Sequence, residues 1–226
     1  MKFYQISLDE GKREKYAYAR TYIDLPEDIR TCSMCGRLVD WNYDYYLNNN
    51  VESFSIILTN EHFPDYTYCD SYSGLHDVIS ERCIELLDKE GFNAYTTVKL
   101  TTISREEMSE EKIKAFRDSQ GLRKAKLISN LKPIYYRILA EIGAELHDDS
   151  NRIWRDGCKN CGTGSGYWPK DNDYFAPMFI KSSSWNGNDI FRVKETALTT
   201  YCTERFNDFF KDNKLTGIKF DEVEAR

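Results

Sequence analysis

The chain has 226 residues, 41% of them hydrophobic, enough to bury one large or two small cores without covalent staples. No stretch approaches the ~18 apolar residues of a membrane span, and the opening MKFYQISLDEGKREKYAYAR lacks the apolar run of a signal peptide, so a cytoplasmic protein with no membrane partner is expected. A net charge of −6 and an isoelectric point of about 5.3 disfavour nucleic acid and favour a basic partner, such as another protein.

In chain order, KFYQIS alternates apolar and polar residues and predicts a strand, and ESFSIILT (52–59) predicts a buried one. LHDVISERCIELLDKEGF changes period. Ile79, Cys83, Leu86 and Leu87 recur at helical spacing, Asp77 is placed to cap the helix and Gly91 to stop it. AYTTVKLT returns to strand composition, and SREEMSEEKIKAFRDSQ reads as a solvated helix with a capping box of Ser104 and Glu107. IYYRILAEIGAEL (134–146) admits helix or strand; alternation at Ile134, Tyr136, Ile138, Ala140 and Ile142 favours strand. DIFRV then predicts a strand, TERFNDFFKDN a helix carrying Phe206, Phe209 and Phe210, and TGIKFDEV a final strand. The expected class is α+β, with mixed strands and short helices.

SERCIELLDKEGFNAY from Ser80 and TERFNDFFKDNKLTGI from Thr203 echo one another, 123 positions apart. CSMCG at Cys32 and CKNCG at Cys158 lie 126 apart. The near-equal offsets suggest one domain, 1–226, with an internal duplication of knuckle, strand, helix and strand in halves of about 1–100 and 130–226.

The two CxxCG stretches carry the chemistry. A two-residue spacer lets two thiolates converge on one point, and the glycine after the second cysteine supplies the positive φ of a knuckle turn. Together Cys32, Cys35, Cys158 and Cys161 would complete a closed, all-cysteine site for a structural Zn2+. The long gap is no obstacle: closing a loop of ~120 residues costs about 4–5 kcal/mol, whereas structural zinc contributes about 10–16 kcal/mol in small peptides. Three other readings stand beside it: an empty, degenerate site, a redox or regulatory disulfide, and two separate sites each completed by His62, Cys69 or His147. Cys83 and Cys202 read as core thiols in or beside helical faces; Cys69 has no assignment.

No enzyme constellation is visible. His62, His76 and His147 lack metal-protease spacing, and neither a nucleophile elbow nor a phosphate-binding glycine loop with its lysine occurs. GTGSG (162–166) reads as a turn leaving the second knuckle, and Asp148 with Asp149 as a solvated turn. YDYY (43–46) and YWPKDNDYF (167–175) combine aromatic and acidic residues, suited either to a partner or to packing over the metal.

The paired CxxCG units, with the opening MKFYQIS, the block ELLDKEGFNAYTTVKL and the ending DIFRVKETALTTYCTERFNDFFKDNKLTGIKFDEV, resemble the bacterial double-CXXCG motif family. The ending is similar to that of a wider immunity-protein family. The resemblance implies an immunity protein of a polymorphic toxin system: not an enzyme, but a cytoplasmic binder that neutralises a cognate toxin domain, in many such systems a basic nuclease. The alternative is a zinc-ribbon module that binds nucleic acid or serves transcription. Against it, Arg30, Arg37, Arg155, Lys159 and Lys170 near the knuckles are interleaved with Asp28, Asp40, Asp156 and Asp171.

Overall fold

A computed structural model describes residues 1–8, 17, 19–22, 32–36, 54–71, 74–119, 129–160, 166–170, 177–196 and 199–226. Within these residues the class is α+β, built from two sheets, a two-stranded ribbon and short helices.

The first sheet has seven strands. Its order runs from β6 (Tyr95–Lys99) through β8 (Tyr135–Ala140), β5 (Gly74–Ser80), β4 (Tyr66–Ser71), β2 (Ala19–Tyr22) and β3 (Ser55–Leu58) to β7 (Thr101–Thr102). The second has five, ordered β14 (Ile218–Val223), β1 (Phe3–Leu8), β13 (Thr200–Thr203), β12 (Ile190–Val193) and β9 (Ile142–Ala144). Helix α1 (Glu81–Lys89) follows β5, α2 (Glu110–Ser119) lies between β7 and β8, and α3 (Glu204–Asp212) follows β13.

Period-two alternation sorts the apolar residues. Along β5, Ile79 faces the other sheet and Val78 the outer side, and both are fully buried in separate clusters. Only a strand can bury adjacent residues on opposite faces, so the helix begins later than its apolar spacing suggests. Asp77 is therefore not a cap; it lies within β5, and Ser80 caps α1 by accepting from the Cys83 N–H at 3.2 Å. Gly91 does end the helix, at φ +74°. The stretch after Ser104 divides in two. Ser104 and Glu107 form the capping box of a single 3-10 turn, and buried Met108 in extended backbone separates it from α2. The strand reading of 134–146 holds, and the run breaks at Glu141, where the chain passes from one sheet into the other. Cys202 is a core thiol on β13 rather than on a helix, and Cys83 is one on α1.

The core shows a repeat. The order β4, β5, α1, β6 recurs as β12, β13, α3, β14: both helices span nine residues, position 81 answers to 204, and position 95 to 218. Cap details repeat as well. Gly91 and Lys214 have φ of +74° and +52°, and Ala94 and Gly217 have +67° and +113°. The Ser80 N–H donates to Asp65 O at 2.8 Å and the Thr203 N–H to Asp189 O at 3.0 Å. The two helices are also cross-linked reciprocally. Arg82 bonds Asp65 at 3.0 Å and reaches the Asn213 carbonyl after α3 at 2.9 Å; Arg205 bonds Asp189 and reaches the Glu90 carbonyl after α1 at 2.8 Å. Each arginine thus satisfies a carbonyl at the other helix's C-terminus.

In its own sheet, β8 pairs with both β5 and β6; the matching place beside β13 and β14 belongs to β1. The Glu81 N–H donates to Ile134 O, and the Glu204 N–H to Lys2 O, both at 3.1 Å. The two units therefore interleave in sequence: the chain's first strand completes the unit built by its last elements. Between the sheets lies the largest cluster, which joins Ile79, Cys83, Leu87 and Phe92 of one unit to Cys202, Phe206, Phe210 and Leu215 of the other.

Candidate metal centre

The first CxxCG stretch forms a tight turn at 32–36. The Gly36 N–H donates to Cys32 O at 2.8 Å, and Gly36 takes the predicted positive φ, +68°. The second follows β10 (Arg152–Arg155), which pairs with β11 (Gly166–Pro169) in an antiparallel ribbon separate from both sheets. Arg155 ties the strands by donating to Pro169 O at 3.0 Å, and Trp154 packs edge-on against Tyr167 at 5.3 Å between centroids. Trp154 also donates its indole N–H to Asp156 at 3.0 Å, which fixes the entry into the second turn.

Folding brings these distant stretches together. The sulfurs of Cys32, Cys35 and Cys158 all lie within 4.8 Å of one another, and Cys32 Sγ is 3.7 Å from Cys158 Sγ. Cys32 is buried, Cys158 half-buried and Cys35 exposed. These three soft donors can hold a metal ion. Cys161, the expected fourth ligand, lies outside the described residues. The side-chain amide of Asn160 donates to Cys32 Sγ at 3.4 Å, a contact that orients a ligand sulfur from behind. Sequence reasoning passed over Asn160, although its place in the CxxC spacer was the available signal.

The other candidates sit elsewhere. Cys69 is buried on β4, in register with Ala19 and His76. His147 accepts from the Asp149 N–H at 3.3 Å and caps the 3-10 turn of Asp148–Ser150. His62 is exposed. Among the described residues, none of the three joins the cysteine cluster. Burial pushes the Cys83 thiol up to about 12 and holds the Cys202 thiol well above its ordinary value, which leaves both protonated and unsuited to a metal.

Asp148 and Asp149 are exposed in their turn, and Asp149 pairs with Arg226 at 2.6 Å. Of the aromatic and acidic segments, Tyr167 and Trp168 are half-buried on β11. Residues 43–46 and 171–175 lie outside the described residues, as does all of GTGSG except Gly166. No helix among the described residues is long and apolar enough to cross a membrane. No family model matches the chain, and no curated protein matches it.

Proposed function

We propose that this chain is a zinc-stabilised immunity protein, a cytoplasmic binder that neutralises a cognate toxin domain stoichiometrically. The observation that carries the reading is the convergence of cysteines from two CxxCG stretches on one point, in a chain whose motifs resemble the double-CXXCG family. The metal assignment is supported by geometry. Zn–S bonds of about 2.3 Å in a tetrahedron put sulfurs about 3.8 Å apart, and Cys32 and Cys158 are 3.7 Å apart. Cys161 supplies the fourth thiolate in this reading, which closes the site to substrate and makes the ion structural. The ion clamps the ribbon to the 32–36 turn, and function resides on the surfaces so held.

The net charge of −6 suits a basic toxin, for which long-range attraction would speed encounter. The test is rescue. Co-production with the toxin encoded by a neighbouring gene restores growth, and the purified pair elutes as a complex. No rescue, or no toxin gene in the neighbourhood, sinks the proposal.

A second reading, a zinc-ribbon module for nucleic acid, draws on β10 and β11. Trp154 is 45% exposed beside Tyr167, with Arg152, Arg155, Lys159 and Lys170 nearby. Tight, salt-sensitive retention of single-stranded nucleic acid in a filter assay would favour it over toxin binding.

A further inference from the structure

The three sulfurs of the cluster lie close together but differ in access to solvent. Cys32 is only 3% exposed, Cys158 is half-buried, and Cys35 is the one exposed cysteine among the described residues. Every pair of these sulfurs is within 4.8 Å, so a disulfide between any two needs only a small side-chain movement. Cys69, Cys83 and Cys202 are buried on β4, α1 and β13, away from the cluster. Among the described residues, the cluster is therefore the place where an oxidant in water reaches one cysteine and finds a second beside it.

Access decides where oxidation starts and which sulfur follows. A hydroperoxide attacks the sulfur that solvent reaches, which is Cys35. Cys32 is a poor second nucleophile: it is buried, and the Asn160 amide donates to its sulfur at 3.4 Å, drawing electron density from it. Cys158, half-buried and on the other stretch, is the more available partner.

We infer that Cys35 and Cys158 form a peroxide-responsive pair, whose oxidation exchanges the metal clamp between the ribbon and the 32–36 turn for a covalent one. The metal reading above underlies what holds the reduced state; the pairing rests on the positions of the sulfurs alone. In the first step the Cys35 thiolate takes one oxygen of hydrogen peroxide as the O–O bond breaks, giving a sulfenic acid and hydroxide. The Cys158 thiolate then attacks that sulfur; the S–S bond forms, the S–O bond breaks and a second hydroxide leaves. Two electrons pass from the sulfurs to the peroxide, and both hydroxides take up protons to become water. With two donors consumed, the cluster can no longer hold a metal ion, yet the two stretches stay joined.

The test uses the full, zinc-loaded chain, its metal content measured first. Hydrogen peroxide is added beside a chromogenic chelator, and the product is digested without reductant and mapped by mass spectrometry. Expected are release of one zinc per chain, loss of two thiols and a linked peptide pair joining Cys35 to Cys158, all reversed by dithiothreitol and zinc. Cys35→Ser loses that link, and its remaining cysteines are consumed several-fold more slowly. The oxidised wild type unfolds at a higher temperature than reduced chain stripped by a chelator, because the cross-link closes a long loop in the unfolded state. A link joining any other pair, sulfinic acid without a link, or equal unfolding temperatures of the oxidised and stripped chains overturns the proposal. A chain that carries no zinc before oxidation refutes the metal reading instead, and peptide mapping then still decides the pairing because it reads sulfur. If Cys35→Ser fails to fold, the wild-type map decides alone.

Discussion

Asn160 and Cys158 are neighbours in the second knuckle with separable roles. Under the proposed zinc assignment, Cys158→Ser, which removes a sulfur 3.7 Å from Cys32, is expected to abolish zinc binding and to lower the unfolding temperature markedly, as a chelator would do to the wild type. Asn160→Ala removes only the 3.4 Å hydrogen bond to Cys32 Sγ; the fold persists while zinc affinity falls about 10–100-fold, measurable by competition with a chromogenic chelator. Asp77 offers a different residue-scale test. Burial raises its carboxyl from 3.8 to about 6, against the pull of Thr200, Tyr66, Arg192 and Arg137. The native state therefore holds a proton that the unfolded chain has released between those two values. The stability this confers is complete below about pH 4 and is lost as pH rises through 6, an effect of about 3 kcal/mol. His76, lowered to near 3, contributes in the opposite sense, losing stability as pH falls below its unfolded value. The comparison that isolates Asp77 is thus wild type against Asp77→Asn by denaturant titration. The variant gains relative stability from pH 4 to pH 7, and parallel profiles would refute the shift.

Helix ends show how the elements are specified. Ser80 is an N-cap with its hydrogen bond in place, and Ser80→Ala should cost about 1 kcal/mol. The two positive-φ glycines of the repeat make a sharper pair. At Gly91 a Cβ would meet nothing within 4 Å, so Gly91→Ala pays only for its left-handed backbone, about 1 kcal/mol. At Gly217 a Cβ would fall 1.8 Å from the Tyr66 carbonyl oxygen, which must move, so Gly217→Ala should destabilise by several times more. Equal losses at the two sites would show that the close approach of β4 to the turn before β14 is wrong. Much of this was legible locally: Gly91, the Ser104–Glu107 box and the Phe206, Phe209, Phe210 stripe all act within a few residues of themselves. The start of α1 was not, because Ile79 satisfies helical spacing and strand alternation equally, and the choice fell to whichever sheet faces could bury Val78 and Ile79 at once.

At the scale of the molecule, the two units share one core and should unfold together. Phe206 is fully buried in the cluster that joins α1 and α3, so Phe206→Ala should cost about 3–5 kcal/mol in a single transition seen alike by far-ultraviolet dichroism and by tryptophan fluorescence. Deleting residues 1–8 removes β1 from between β13 and β14, and the chain should fail to fold, although the deletion spares every helix and both knuckles. A folded, truncated protein would contradict the interleaved architecture.

By itself, the sequence determined the α+β class and the two CxxCG turns, because each rests on periodicity or spacing within about twenty residues, and it showed the echo between the segments at Ser80 and Thr203, because residue similarity is read directly off the chain. Only the tertiary structure decided that β1 serves the C-terminal unit, that Arg82 and Arg205 exchange helix ends, and that Cys32 and Cys158 meet 3.7 Å apart. The reason is common to all three: they are pairings between residues distant in sequence, chosen by which faces the packed sheets bury, and no local pattern encodes the partner.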